Sequence, residues 1–321
     1  MTKSKLAVTP LPDRVLLDLS SDCNLRCPMC VVHGNTDDPR VNSIIKKNMK
    51  ISDAKKILNE IEGSTQIIGP GLWSEPLMGK DILMNLENIK LRGLKISLNT
   101  NALLLNKEIA SKLIEIGVDS ITISIDATTN DTLKLIRGIR KLEKIEKHIT
   151  QFLELRGEKS IPRLGVSFTK QPENIHEEQD FIKKWTEVVD FVRVGEIFEN
   201  GKFPNIKVDQ KKRIPCPELY NTMAIHTNGD VSICCLDGFK DVIVGNAVKE
   251  GVENVWNGEK LNEIRNHHEL GQWDKIPFCK NCDRWASSSY EDTIEGSLLI
   301  RRSAEYTFYN RIDRLKSWNN K

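Results

Sequence analysis

The sequence predicts an α/β fold: a parallel sheet of six strands with helical crossovers, followed by a small Cys-rich β-hairpin/helix domain. Three observations lead there. Apolar runs alternate with amphipathic stretches between Arg14 and Phe198, the pattern of parallel strands joined by right-handed connections. Three Cys fall within eight residues, Cys23 to Cys30, directly after the first apolar run. Five more Cys follow residue 215, grouped around an Asn-Gly-Asp turn signal.

The strand expectations are residues 14–20, 65–69, 94–99, 119–126, 163–169 and 190–198, short runs of aliphatic and β-branched residues. Between them lie five helices. Ser52 reads as the N-cap of the first, with Ile57, Leu58 and Ile61 as its buried stripe and Gly63 as its stop. The second carries Ile82, Leu83, Leu86 and Ile89. In the third, Asn106 caps a stripe of Ile109, Leu113 and Ile116 before Gly117. The fourth, after Arg140, carries Leu142, Ile145, Ile149 and Phe152, and the fifth Phe181, Trp185 and Val188. Six units are two short of an eightfold barrel, and such sheets collect ligands at the C-terminal strand ends.

Beyond the sheet, the polar residues 199–215 read as a linker and Lys211-Lys212-Arg213 as a solvated face. Asn228-Gly229-Asp230 turns a hairpin between Met223–His226 and Val231–Ile233, and an amphipathic helix follows near 255–264. The tail, 286–321, is expected to be helical, with Phe308, Ile312 and Leu315 on one stripe.

A chain of 321 residues buries an ample core without covalent staples. Its 47 basic and 45 acidic residues argue against nucleic acid or an anionic membrane as the main partner. No apolar run approaches the roughly 18 residues of a membrane span, and the start lacks the apolar core of a secretory signal. A cytoplasmic protein is expected, in which eight Cys serve as metal ligands rather than disulfides.

Thiolates spaced Cys-x3-Cys-x2-Cys in a loop can converge on one metal centre, and soft sulfur selects iron–sulfur clusters, zinc or copper(I). Three ligands rather than four leave one metal position open. The motif Cys23-Asn24-Leu25-Arg26-Cys27-Pro28-Met29-Cys30 resembles the cluster loop of the radical S-adenosylmethionine (SAM) superfamily. The resemblance implies an open partial (βα)6 barrel in which Cys23, Cys27 and Cys30 hold a 4Fe-4S cluster whose fourth iron chelates SAM. One electron then yields a deoxyadenosyl radical that removes a substrate hydrogen. An electron donor such as flavodoxin or ferredoxin is implied as a partner. The residue before the third Cys is commonly aromatic in that family. Here it is Met29, whose apolar side chain would cover the adenine.

Other strand-end segments extend the likeness. Gly69-Pro70-Gly71-Leu72-Trp73-Ser74-Glu75-Pro76 resembles the family's Gly-Gly-Glu-Pro segment, with Trp73-Ser74 where glycines are usual. Backbone near Ser74, with Glu75, would hold the SAM amino group. Asn99-Thr100-Asn101 resembles the turn beside the methionyl group. Period-two geometry places Ser124 and Asp126 on one face, where they would bond the ribose hydroxyls. Taken singly, loop Asn and Asp residues are ordinary turn formers. The six His show no ligand spacing, and His267-His268 reads as a solvated helix edge.

In the second Cys set, a Cys-x-x-Cys near a hairpin joined by distant Cys is by spacing a four-thiolate metal site, zinc or iron–sulfur. Cys216, the Gly-x-Val-x-x-Cys hairpin, Gly245-Asn246, Trp256 and Cys279-Lys280-Asn281-Cys282 resemble the SPASM/Twitch extension of the same superfamily. That implies one auxiliary 4Fe-4S cluster on Cys216, Cys234, Cys279 and Cys282. The domains are then 1–198 barrel, 199–215 linker, 216–285 auxiliary-cluster domain and 286–321 helical tail. Cys235 is left over, either an inert buried residue or a catalytic hydrogen donor of the kind some family epimerases use.

Two reactions compete: dehydrogenation of an alcohol with the auxiliary cluster taking the second electron, and epimerisation with Cys235 returning a hydrogen. The substrate is expected to be small and polar, sugar- or aminocyclitol-like, because only 22 residues precede Cys23, short of a leader-recognition domain. A peptide-modifying maturase or epimerase is the alternative, and a non-catalytic zinc scaffold is the rival of another class.

Overall fold

In the computed structural model, residues 7–34, 37–42, 46–198, 201–203 and 208–315 are described. Six strands follow the expected order: β1 (Arg14–Leu17), β2 (Ile67–Gly69), β3 (Lys95–Thr100), β4 (Ser120–Ser124), β5 (Arg163–Lys170) and β6 (Phe191–Glu196). Each pairs in parallel with the next, so the barrel half of the expectation holds. Helices α1 (Ile51–Ile61), α2 (Ile82–Lys90), α3 (Lys107–Ile116), α4 (Asn130–Arg137), α5 (Leu142–Arg156) and α6 (Glu178–Thr186) form the crossovers.

One face of the sheet packs the helices through Ile96, Leu98, Ile121, Ile123, Leu164, Val166, Val192 and Val194, all buried. Side chains alternate along a strand, so the opposite, concave face carries the polar positions. There Asn99 registers with Thr122, and Ser124 with Ser167 and then Arg193. An apolar exterior under helices and a hydroxyl-rich interior suit a barrel that holds a polar ligand.

The helical stripes hold with local corrections. The Asn106 side chain caps α3 by accepting the Ile109 N–H at 2.9 Å, and Gly117 closes it in a left-handed conformation at φ 76°. Ser52 is not a cap: α1 begins one residue earlier, after Lys50, and the Ser52 hydroxyl turns to Asp53. Val188 lies beyond the end of α6 and is exposed, because the helix stops at Thr186.

The second half does not stand apart from the barrel. Strand β7 (Thr222–Ile225) pairs in parallel with β1, and β8 (Asp230–Ser232) and β9 (Ile243–Asn246) continue the same sheet antiparallel. Helices α7 (Val252–Trp256) and α8 (Glu259–Glu269), rather than one helix, follow, with Asn257-Gly258 between them. The linker expectation falls partly outside the described residues, and Arg213 within it is not solvated. Its guanidinium is buried and donates to the Lys280 carbonyl at 2.9 Å and the Cys279 carbonyl at 2.6 Å.

The helical tail is overturned. Residues 290–311 form an antiparallel meander, β10 (Tyr290–Glu295), β11 (Leu298–Ser303) and β12 (Tyr306–Arg311), and β12 pairs with the free edge of β6. Phe308 sits opposite Arg193, and among the described tail residues helix is confined to the end of a 3-10 turn at Arg284–Ser288 and to Ile312–Leu315; residues 316–321 lie outside the described residues. The run is rich in Tyr, Phe, Thr and Ile, which favour strands, Gly296 turns the first hairpin at φ 59°, and an open β6 edge demands a partner. The complete sheet has twelve strands in the order β10-β11-β12-β6-β5-β4-β3-β2-β1-β7-β8-β9.

Candidate cofactor and substrate site

The Cys triplet occupies the loop leaving β1. Cys30 N–H donates to the Cys27 carbonyl at 2.9 Å and Gly34 N–H to the Cys30 carbonyl at 2.7 Å, which wraps the loop on itself. A side chain at Gly34 is impossible here, since a Cβ would lie 2.3 Å from the Cys30 oxygen. His33 N–H points at the Cys30 sulfur, 3.3 Å away. Burial pushes the Cys23 thiol up to about 11, and Glu75, Cys27 and Cys30 add to the shift. Burial raises Cys27 as well, against the pull of Arg137. Thiolates so placed need a cation in their midst, because a bound metal reverses this cost.

Glu75 is nearly fully buried and ties two strand ends together. Its Oε1 accepts the Thr100 hydroxyl at 2.7 Å and the Leu77 N–H at 3.2 Å; Oε2 accepts the Asn101 N–H at 2.7 Å. Burial raises its pKa, although these bonds oppose the shift. Asn101 in turn bonds Asn24 of the Cys loop at 2.7 Å, and Asn99 stands exposed on the concave face. Met29 is half-buried, and Gln171 Nε2 donates to its sulfur at 2.9 Å. The structure therefore gathers Met29, Ser74, Glu75, Asn101 and the Cys loop at the strand ends.

Asp126 corrects the expectation. Strand β4 ends at Ser124, and Asp126 adopts a left-handed backbone at φ 66°, so the two no longer share a face. Ser124 keeps to the interior, 3.5 Å from the Ser167 hydroxyl. The Asp126 carboxylate is fully buried, accepts the Thr169 N–H at 2.7 Å and pairs with Arg137. With both oxygens engaged inside the protein, it is an anchor for Arg137 and does not face a ribose.

Two further residues at this end escaped the sequence reading. Asp18, on the concave side where β1 ends, accepts the Ser74 hydroxyl at 2.8 Å and the Leu72 N–H at 3.2 Å, both at Oδ1. Among the described residues no donor reaches Oδ2. Burial lifts this carboxyl to about 7. Arg137 lies 4.0 Å from the Cys27 sulfur, at the end of α4. That short helix carries its own signals, a Thr129 cap and Gly138 at φ 76°, which sequence reading can use.

The second thiol set surrounds a small cavity lined by Cys216, Cys234, Cys235, Cys279, Cys282 and His268. Burial pushes Cys279 up to about 12 and Cys235 to about 11, and raises Cys216 and Cys234 further. His268 is not a solvated edge. It is 1 % exposed, and its Nδ1 accepts the Cys216 N–H at 3.2 Å. Nε2 therefore carries the hydrogen, and that buried donor has no protein partner among the described residues. Five thiols and an orphaned donor around one cavity fit an iron–sulfur cluster, which takes four thiolates and whose sulfides accept hydrogen bonds.

A wider cleft of about 330 Å³ opens between Val31 of the Cys loop, Trp73, Phe198, Phe239, Phe278 and Asn281. Arg40 lies over the Phe239 ring at 4.2 Å and pairs with Asp241 at 3.0 Å. Cys235 lines the thiol cavity and not this cleft.

Fold and thiol sites together define a protein that carries iron–sulfur centres on a partial α/β barrel. A family profile described as the radical SAM superfamily matches residues 18–182, and the chain belongs to that superfamily. A second profile, an iron–sulfur cluster-binding domain of SPASM type, matches residues 216–283. The cofactors are thus a 4Fe-4S cluster with SAM, and an auxiliary iron–sulfur centre. A curated relative, a probable GTP 3′,8-cyclase of Methanocaldococcus jannaschii, is 28% identical over 291 residues, 88% of this chain and 84% of that protein. The solved structure of BtrN with AdoMet and 2-DOIA superposes with a TM-score of 0.58 at 16% identity, covering 87% of this chain and 96% of that one. Streptococcus suis SuiB bound to SAM gives 0.61 at 19%, covering 81% and 69%. These structures share the fold. Among the described residues no helix is long and apolar enough to cross a membrane.

Proposed function

We propose that this radical SAM enzyme dehydrogenates a small polar substrate, removing a carbon-bound hydrogen atom, a proton and an electron from one carbinol. With cluster and SAM bound at Cys23, Cys27 and Cys30, reductive cleavage supplies the radical that takes the hydrogen atom. Backbone near Ser74, with Asn99 and Ser124 from the polar interior, orients the cofactor, and Met29 covers its adenine. Glu75 acts indirectly, holding the β2 and β3 ends in register through Thr100 and Asn101. Asp18, beside Ser74 at the strand ends and outside the lining of the cleft, is the candidate acceptor of the alcohol proton: among the described residues no donor reaches its Oδ2, and a carboxyl lifted to about 7 is suited to that exchange near neutral pH. Asp126 and Arg137 place a positive charge beside Cys27.

The observation that carries this reading is the second site. Cys216, Cys234, Cys279 and Cys282 line one cavity, a thiolate set suited to a cluster that stores the remaining electron instead of binding substrate. Cys235 faces that cavity rather than the cleft, which favours oxidation over epimerisation. The cleft's aromatic faces and the Arg40–Asp241 pair at its rim suit a ring-shaped polar molecule. BtrN, named with 2-DOIA, supports a small substrate; SuiB, also described with the precursor peptide SuiA, keeps a peptide as the second reading.

Anaerobic protein with about eight irons per chain, two four-iron centres, is incubated with SAM, dithionite and a panel of deuterated polyols and aminocyclitols, with GTP as comparison. Deuterium in 5′-deoxyadenosine together with one two-electron-oxidised carbinol is expected, and C235A should retain it. Zinc in place of iron, cyclisation of GTP, or inversion lost in C235A replaces the reading.

A further inference from the structure

The segment after β2 carries a large side chain, Trp73, where the motif it resembles carries glycine. The indole spans to the other half of the chain: Nε1 donates to the Cys235 carbonyl at 2.9 Å, across 162 residues of sequence. The loop it meets supplies the room. A Cβ on Gly238 would stand 2.4 Å from Val32 Cγ2 and 2.8 Å from Trp73 Nε1. Three loops therefore meet at one point: the Cys-triplet loop through Val32, the SAM-side loop through Trp73, and the loop after β8 through Cys235 and Gly238.

Both partners of the contact are held firmly on their outer sides. Around Trp73, the Ser74 hydroxyl and Leu72 N–H are fixed on Asp18 and the Glu75 N–H on the Asp22 carbonyl at 2.9 Å. Beyond Gly238, the buried Asp237 carboxylate accepts the Asp241 N–H at 2.8 Å and the Val242 N–H at 2.9 Å. Between them runs the Cys234-Cys235 backbone: the Cys234 carbonyl accepts the Ser232 hydroxyl at 3.1 Å and the Asp237 N–H at 3.2 Å, and both thiols line the auxiliary cavity, so whatever that cavity holds bears directly on the carbonyl that Trp73 meets.

We propose that Trp73 is a positioning residue that couples the two cofactor sites, so that a filled auxiliary thiol site tightens SAM binding through the Trp73–Cys235 bond. A coupling of this kind is reciprocal. The inference rests on the SAM site at the barrel mouth and goes beyond it.

The test is a cycle of SAM dissociation constants measured by anaerobic equilibrium dialysis with labelled SAM. The proteins are the holoenzyme, Trp73→Phe, the double variant Cys279→Ser/Cys282→Ser, and their combination. Trp73→Phe keeps a ring and loses only the donor. Each change alone should weaken SAM about fivefold or more, the lower end of ordinary coupling, and the combination should weaken it no further. Effects that multiply, or a double variant that binds SAM like the parent, would overturn the coupling. Gly238→Ala guards against misfolding of the thiol variant, because it wedges the junction with all ligands present. It should lose SAM affinity at unchanged iron content; parent-like affinity overturns the proposal. A holoenzyme that binds no SAM removes the site reading and the coupling together, whereas intact SAM binding with multiplying effects removes the coupling alone.

Discussion

Arg137 and Asp126 form a buried ion pair behind the cluster loop: Arg137 Nε donates to Asp126 Oδ2 at 2.7 Å, and the carboxylate has no exposed surface. The pair fixes the end of α4 beside Cys27. Replacing Asp126 by Asn preserves shape but removes the carboxylate that pairs directly with a buried guanidinium. Removing one partner of such a pair costs about 3–5 kcal/mol. We expect Asp126→Asn to lower the guanidinium midpoint of the purified chain by a corresponding amount. A variant as stable as the parent would restore the reading of Asp126 as a solvent-facing ligand.

Glu75 gathers three donors with one carboxylate, from Thr100, Asn101 and Leu77. An amide offers a single acceptor atom there and turns its NH2 against one of the donors. Glu75→Gln should therefore strand a buried N–H or hydroxyl, a loss of about 1–3 kcal/mol. Thermal unfolding should fall accordingly. SAM affinity should fall with it, because the turn at Asn101 loses its anchor. Unchanged unfolding would show that the three bonds contribute nothing.

Residues whose role is local were legible in the sequence. The six apolar runs became β1 to β6 because each buries its alternate side chains against helices, and Asn228-Gly229-Asp230 turned its hairpin with Gly229 at φ 84°. The Cys spacings resolved the two thiol sets. Asp126 was misread because alternation assumes that a strand continues, whereas β4 stops at Ser124. The tail was misread because Phe308, Ile312 and Leu315 fit a helical stripe as well as chance allows, and the open edge of β6 decides the matter only in three dimensions. His268 and Arg213 are polar residues buried by contacts with Cys216 and the Cys279 carbonyl. Nothing in their own neighbourhood of sequence announces such partners.

The two thiol sets should separate by iron count. Cys279→Ser/Cys282→Ser removes half of the second set and should bring iron from about eight to about four per chain, the content of one cubane. The Cys23, Cys27 and Cys30 loop is untouched, so dithionite should still drive cleavage of SAM, though at weaker SAM affinity. Cys27→Ala should show the reverse, with the auxiliary signal retained and 5′-deoxyadenosine absent. Loss of all iron in either variant would mean that the sites do not assemble independently.

Asp18 makes a pH prediction that needs no substrate. Burial lifts its folded-state pKa from 3.8 to about 7, so between those values the folded chain binds more proton than the unfolded one. Stability from this group is fully present below about pH 4 and is lost as the pH climbs through about 7. The loss is at most about 4 kcal/mol, three pKa steps of linkage. Asn imitates the protonated acid, since its oxygen still accepts from Ser74 and Leu72. Asp18→Asn should therefore exceed the parent in denaturant midpoint only slightly at pH 4.5, by about 1 kcal/mol, and much further at pH 8. A parent and variant that stay parallel across that range would show that Asp18 ionises at its ordinary pKa, and its candidacy as proton acceptor would end there.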